Sequence, residues 1–283
     1  MTQAEENFAV AATPPFDAVA LLSFLGKRTI AGVEAYGVEP RGLRYARTLR
    51  LPHGPGLLEL VWTGRVLLAT TRTDPADRAQ AAAAVSRLCD TDAPAPTIAA
   101  HLGRSEPLRR LVADRPGLRV PGTVDPVEMA FRTLIGQQIS LAAAATCAAK
   151  LAGAYGEAVE LSDPALTRLF PSPAALAAVD PESLPMPRSR GRALVGLARS
   201  LAHGTLDLTA QPRRQALLAQ PGIGPWTADY LAMRCFGDRD VLLESDLVIK
   251  RELARRSITA TAEWAPFRSY ATMHLWFGSG VLT

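Results

Sequence analysis

Apolar and polar residues alternate with a period of two over 29–38, 43–51, 56–63 and 65–72, and Gly/Pro turns separate these runs. Alternate side chains of a strand share one face, so the runs predict a small antiparallel sheet. Helical spacing flanks it at about 16–27 and 74–89. Asp92-Ala93-Pro94-Ala95-Pro96 interrupts both periods and marks a candidate boundary. Beyond about residue 97 the chain reads as helices, and residues 1–15, polar and then Ala/Pro-rich, read as a disordered N-terminus. The expected fold class is α+β, mainly α, with an antiparallel-sheet domain at 16–96 and a helical region at 97–283.

Three interruptions of the helical pattern carry candidate chemistry. Asp125-Pro126-Val127-Glu128 opens a helix in a capping-box-like arrangement, with apolar positions at Val127, Ala130, Phe131, Leu134 and Ile135. Gly136 stops that pattern before Ser140 can cap the next helix, so Gly136-Gln137-Gln138-Ile139 reads as an exposed loop tip, or simply a surface turn with two glutamines. A second helical segment, Arg213 to Gln220, must end at Pro221, which lacks an N–H, and at Gly222, which readily takes positive φ. Gly224 can cap the next helix, with Pro225 at its first position. The hairpin leaves the backbone N–H groups of Gly222, Gly224 and Thr227 at a positive helix end, where a phosphate oxygen can bind regardless of nucleotide sequence. A tight turn inside a helical core shares this pattern. The third interruption, Glu244-Ser245-Asp246, precedes helical spacing at Leu247, Ile249-Lys250 and Leu253, which puts the Asp246 carboxylate at or near a helix start. An ordinary N-cap looks the same.

The hairpin, Asp246 about twenty residues after it, and Leu134-Ile135-Gly136-Gln137-Gln138-Ile139-Ser140 together resemble the helix-hairpin-helix DNA glycosylase superfamily, and within it the bacterial DNA-3-methyladenine glycosylase II (AlkA-like) family. Trp264-Ala265-Pro266-Phe267-Arg268-Ser269-Tyr270-Ala271 and Met273-His274-Leu275-Trp276 extend the similarity from about residue 16 to the chain end. The resemblance implies a DNA glycosylase that excises alkylated purines, such as 3-methyladenine, from double-stranded DNA in base excision repair. It also implies an N-terminal domain likened in fold to TATA-binding protein, and an active-site cleft between helical subdomains. Two other readings stay open: a sister glycosylase for deaminated or oxidised bases, and a non-catalytic DNA-binding module that kept the hairpin.

Under the resemblance, Asp246 is the catalytic residue, a fixed negative charge beside a sugar that gains oxocarbenium character. Trp226 and Tyr230 fall at i and i+4 on one helix face, and by resemblance Trp276 and Phe24 join them in a pocket whose ring faces attract a cationic base. Each aromatic taken alone is more often a core residue than a cleft residue. Gly222, Gly224, Thr227, Gln137 and Gln138 are the expected DNA contacts. Gln138 stands where the family places the side chain that fills the gap left by a flipped nucleotide, a leucine in its best-known member. No cofactor is required, but hairpins of this family commonly hold sodium or potassium on backbone carbonyls, here those of Leu218, Gln220 and Ile223.

Two features separate branches of the superfamily. Enzymes that also nick the backbone carry a lysine in the second hairpin helix, and the matching position here is Trp226, so no AP-lyase activity is expected. The iron–sulfur branch needs four clustered cysteines, whereas Cys89, Cys147 and Cys235 lie far apart.

With 283 residues and 48% hydrophobic content the chain can bury one or two cores. A net charge of +4 modestly favours a polyanionic partner, and Arg188, Arg190 and Arg192 offer phosphate contacts or a solvated helix face. His53, His101, His203 and His274 make no zinc spacing. With no signal peptide, transmembrane run or close cysteine pair in view, the expectation is a cytoplasmic protein without a membrane partner, and the resemblance implies a bacterial, nucleoid-associated monomer.

Overall fold

The computed structural model describes residues 3–212 and 214–280, so the expected disorder at 1–2 and the helix start at Arg213 lie outside the described residues. Five strands form one antiparallel sheet: β1 (Ala4–Ala9), β2 (Glu34–Glu39), β3 (Gly42–Leu51), β4 (Gly54–Trp62) and β5 (Leu67–Thr73), in the order β1-β5-β4-β3-β2. The first expected strand is shorter than its alternating run. Gly32 takes φ +85°, and the amides of Val33 and Glu34 turn back onto the Ile30 carbonyl.

The disorder expected at the N-terminus is corrected at residues 4–9, where β1 pairs with β5 from Ala4↔Thr73 to Ala9↔Leu68. An edge strand is held by its backbone ladder and needs little apolar surface, which is why its polar sequence hid it. Glu5 adds an ion pair to Arg72 at 2.6 Å, and Asn7 accepts from the Thr70 hydroxyl at 2.6 Å.

Register places Tyr45, Leu49, Leu58, Leu60 and Ala69 on one sheet face, where they are buried with apolar residues of α1 (Ala18–Gly26) and α2 (Arg78–Cys89). The chain continues through α3 (Ala95–Leu102), α4 (Glu106–Asp114), α5 (Pro126–Ile135), α6 (Leu141–Tyr155), α7 (Pro173–Ala177), α8 (Arg188–Ala202), α9 (Arg214–Leu218), α10 (Pro225–Phe236), α11 (Leu247–Arg255) and α12 (Arg268–Gly278). Helix α3 starts inside the expected boundary, because Pro96 occupies its first turn, where the missing N–H costs nothing.

The chain between α6 and α7 is not helical, contrary to the expectation of helices throughout. It covers the second sheet face: Asp163 pairs with Arg44, the Thr48 hydroxyl donates to the Arg168 carbonyl at 3.0 Å, and the Thr167 amide donates to the Gly32 carbonyl at 2.8 Å. Both faces of the sheet are therefore engaged. One large cluster joins buried apolar residues of sheet and helices, so the sheet domain and the helical region share a core, while Ala46, Leu57 and Leu166 form a small separate cluster on the second sheet face.

Candidate active site

The hairpin forms as its residue types require. Gly222 takes φ +81°, and a Cβ there would stand 2.6 Å from the Ala193 Cβ of α8, so only glycine satisfies both turn and contact. Gly224 is the N-cap of α10 with extended backbone, and a Cβ on it would meet nothing within 4 Å. Its outer side is open. Among the described residues, the amides of Gly222, Gly224, Trp226 and Thr227 have no backbone acceptor, as expected at a helix N-terminus without a side-chain cap. The carbonyls of Leu218 and Ile223 likewise lack a partner, and that of Gln220 accepts only the Ile223 amide at 3.1 Å.

Asp246 caps α11, and its Oδ1 accepts from the amides of Val248 and Ile249 at 2.9 and 3.1 Å. It does more than cap. The Trp226 indole N–H donates to Oδ2 at 3.2 Å and that of Trp276 to Oδ1 at 3.3 Å. Four N–H donors thus converge on the two oxygens of this one carboxylate.

The aromatic side chains expected around it are brought together from three helices. Trp226 and Tyr230 stack at 5.0 Å and 10°, Tyr230 and Trp276 lie 6.4 Å apart, and Phe24 stacks on Trp276 at 6.5 Å. Phe24 is fully buried, whereas Trp226 is half-buried at the mouth of the group. These ring distances favour offset and edge-on π contacts.

Trp226 and Tyr230 also line a cavity of about 130 Å³. Its other walls include residues that sequence reasoning missed: Arg28, Glu34, Arg47, Arg132 and Arg234. The Arg28 guanidinium stands 3.6 Å over the Phe24 ring, and Arg234 donates to the Tyr230 hydroxyl at 2.6 Å. Burial and the neighbouring guanidiniums lower the Arg28 pKa to about 10, which leaves it charged at neutral pH. Behind them Glu34 accepts from Arg132 at 2.9 Å, Arg47 at 3.3 Å and the Tyr45 hydroxyl at 2.6 Å, and Glu128 accepts from Arg47 at 2.6 Å and Arg132 at 2.9 Å. Charges at core positions of amphipathic helices, such as Arg234 four residues after Tyr230, were the available signal.

Gln138 is exposed with φ +57°, at the tip of its loop. Gln137 differs from expectation: its side chain turns inward and donates to the Gly222 carbonyl at 2.9 Å and to Thr227 Oγ1 at 3.1 Å. Its Nε2 donors match two acceptors the hairpin leaves open, and its Oε1 accepts no hydrogen bond among the described residues. Among the described residues, no group of three or more His, Cys, Asp or Glu side chains is placed to hold a metal, and no helix is long and apolar enough to cross a membrane.

A sheet joined to helices around a Gly-x-Gly hairpin, with a capped carboxylate beside it, defines a helix-hairpin-helix fold of the DNA glycosylase class. A family model described as the AlkA N-terminal domain matches residues 7–125, ending past the boundary expected at 92–96. The "DNA-3-methyladenine glycosylase 2" of Escherichia coli (strain K12) is 36% identical over 283 residues, covering 94% of this chain and 95% of that protein. The chain belongs to the AlkA-type DNA-3-methyladenine glycosylase 2 family. It is also 41% identical over 275 residues to the "Probable bifunctional transcriptional activator/DNA repair enzyme AlkA" of Mycobacterium tuberculosis (strain ATCC 25618 / H37Rv), covering 93% of this chain but 55% of that relative. The chain thus spans about half the length of that relative. The 3-methyladenine DNA-glycosylase structure from Archaeoglobus fulgidus superposes with a TM-score of 0.78 at 17% identity over 98% of this chain and 99% of the other, which shows the shared fold.

Proposed function

We propose that the chain is a monofunctional DNA glycosylase that flips alkylated bases, 3-methyladenine and related N-alkylpurines, out of double-stranded DNA and hydrolyses their N-glycosidic bonds in base excision repair. The observation that carries this reading is the Asp246 carboxylate held by two indole N–H groups next to an aromatic cluster and a phosphate-ready hairpin.

The hairpin amides of Gly222, Gly224 and Thr227 grip a backbone phosphate at the positive end of α10. The nucleotide rotates out of the stack at a cost of a few kcal/mol, least for damaged or weakly paired bases, and Gln138 fills the gap. The base enters among Trp226, Tyr230 and Trp276, whose electron-rich faces favour a cationic purine. As the bond from C1′ to the base nitrogen breaks, its electron pair goes to the base, which leaves neutral. Asp246 stabilises the sugar cation electrostatically without reorganising, because its donors already fix it. Water then adds to C1′ and releases a proton.

Backbone scission is not part of the reading. The second hairpin helix presents Trp226 where a Schiff-base lysine would stand, and the chain's three lysines are Lys27, Lys150 and Lys250. The open carbonyls of Leu218 and Ile223, with that of Gln220, suit a hard monovalent cation, sodium or potassium, which when bound would add positive charge to the phosphate grip. The protein acts as a monomer in the bacterial cytoplasm.

The test is incubation with duplexes carrying methylated purines, hypoxanthine or 8-oxoguanine, followed by identification of released bases and of strand breaks. Release of methylated purines with an intact backbone is expected. No release from any duplex contradicts the reading in favour of a binding module, and strand cleavage contradicts its monofunctional part.

A further inference from the structure

Gln137 and Gln138 are neighbours in one loop and have opposite settings. The Gln137 side-chain amide bonds the Gly222 carbonyl at 2.9 Å and Thr227 Oγ1 at 3.1 Å, and Thr227 is only 2% exposed. The main-chain carbonyl of Gln137 accepts from the Arg190 guanidinium of α8, the helix whose Ala193 Gly222 also touches. Gln138 projects from this anchor, in a left-handed conformation that a non-glycine residue keeps only where its surroundings fix it.

We infer that Gln137 is a positioning residue that locks the loop carrying Gln138 onto the phosphate-binding hairpin, so that gripping a phosphate also fixes where Gln138 enters the duplex. The inference rests on the glycosylase reading and deepens it. A flipped nucleotide leaves its gap at a set distance from the gripped phosphate, and a loop tied only at its helix ends would let the filling side chain wander. The chemistry selects an amide: Nε2 carries two donors for two acceptors, whereas methionine has the same reach and offers none. Gln137 touches neither the reacting sugar nor Asp246, so its effect falls on the flipped state and not on bond cleavage.

The test compares Gln137→Met with the unaltered protein in single-turnover release of one methylated purine, placed either in a normal pair or in an unpaired bulge. Gln137→Met should slow release from the paired site about tenfold, the order expected for losing two neutral hydrogen bonds. In the bulge, where extrusion costs little, the loss should shrink to below about twofold. Thr227→Val, which removes one acceptor and keeps the shape, should change the same ratio in the same direction by less, and it decides the matter if Gln137→Met does not fold. An equal loss on both substrates, or no loss on the paired one, overturns the inference alone. An unaltered protein that releases no base overturns the glycosylase reading and the inference with it.

Discussion

Trp276 donates its indole N–H to Oδ1 of Asp246 at 3.3 Å, tying the last helix to the residue that caps α11. The helix amides of Val248 and Ile249 already bind that oxygen, so the indole bond is not needed to close the helix. It aims the carboxylate. Trp276→Phe keeps a ring in place and removes the donor, and should slow base release about tenfold with undamaged-DNA affinity unchanged, as one charge-assisted hydrogen bond would. Single-turnover release beside a binding titration checks it; an unchanged rate would make the bond incidental.

The two hairpin glycines separate folding from binding. Gly222→Ala meets both positive φ and a neighbour at 2.6 Å, and should destabilise the fold by about 1–3 kcal/mol, read by urea denaturation. Gly224→Ala meets no atom within 4 Å and should cost less than the Gly222 change, no more than about 1 kcal/mol for alanine at the N-cap of α10, yet its methyl group stands on the open side where the phosphate is proposed to sit. Its main expected effect is weaker DNA binding. Equal stability of the two variants would contradict the steric argument.

The legible and the hidden parts of this molecule differ for physical reasons. Strands β3 to β5 were readable because their alternation reports a buried face, whereas β1 was hidden because its polar edge is held by backbone pairing. The Asp246 cap and the Trp226–Tyr230 face follow from local spacing, and the structure shows both. The convergence of Phe24 and Trp276 on that face was carried by family resemblance, since local periodicity holds no information about contacts across such sequence separations. Whether Gln137 turned in or out was equally beyond pattern, because the decision lies with acceptors on another element. The cavity arginines were missed for a related reason: a charge at a core position reads as a break in amphipathicity until its carboxylate partners are seen.

Arg132 joins Glu34 and Glu128 behind the aromatic cluster. Arg132→Met should cost about 3 kcal/mol in chemical denaturation, because it strands buried carboxylates that Arg47 alone must then neutralise. Burial raises the Glu34 pKa, but Arg132 and Arg47 outweigh it and hold it below its ordinary 4.5. The stability this network adds is therefore present above about pH 4.5 and is lost as pH falls through the lower folded value. A loss below about 1 kcal/mol in Arg132→Met would contradict the account.

His274 is buried, and desolvation lowers its pKa from 6.5 to about 4. The unfolded chain therefore takes up the proton first as pH falls. Stability present at neutral pH should decline from about pH 6.5 toward pH 4, losing about 2 kcal/mol by pH 5. Urea denaturation at pH 7 and pH 5 measures this, and His274→Gln should flatten the window. A profile that is flat in the unaltered protein would contradict the buried neutral imidazole.

Asp246→Asn is the most direct measurement. Asparagine caps a helix as well as aspartate does, so α11 should stay formed, while the charge beside the sugar is removed and one indole faces an amide donor. Single-turnover release of a methylated purine by this variant should fall by at least about a hundredfold, the order seen when one preorganised electrostatic group is lost, with duplex affinity within about twofold. Release within a few-fold of the unaltered protein would contradict the claim that this carboxylate stabilises the departing sugar.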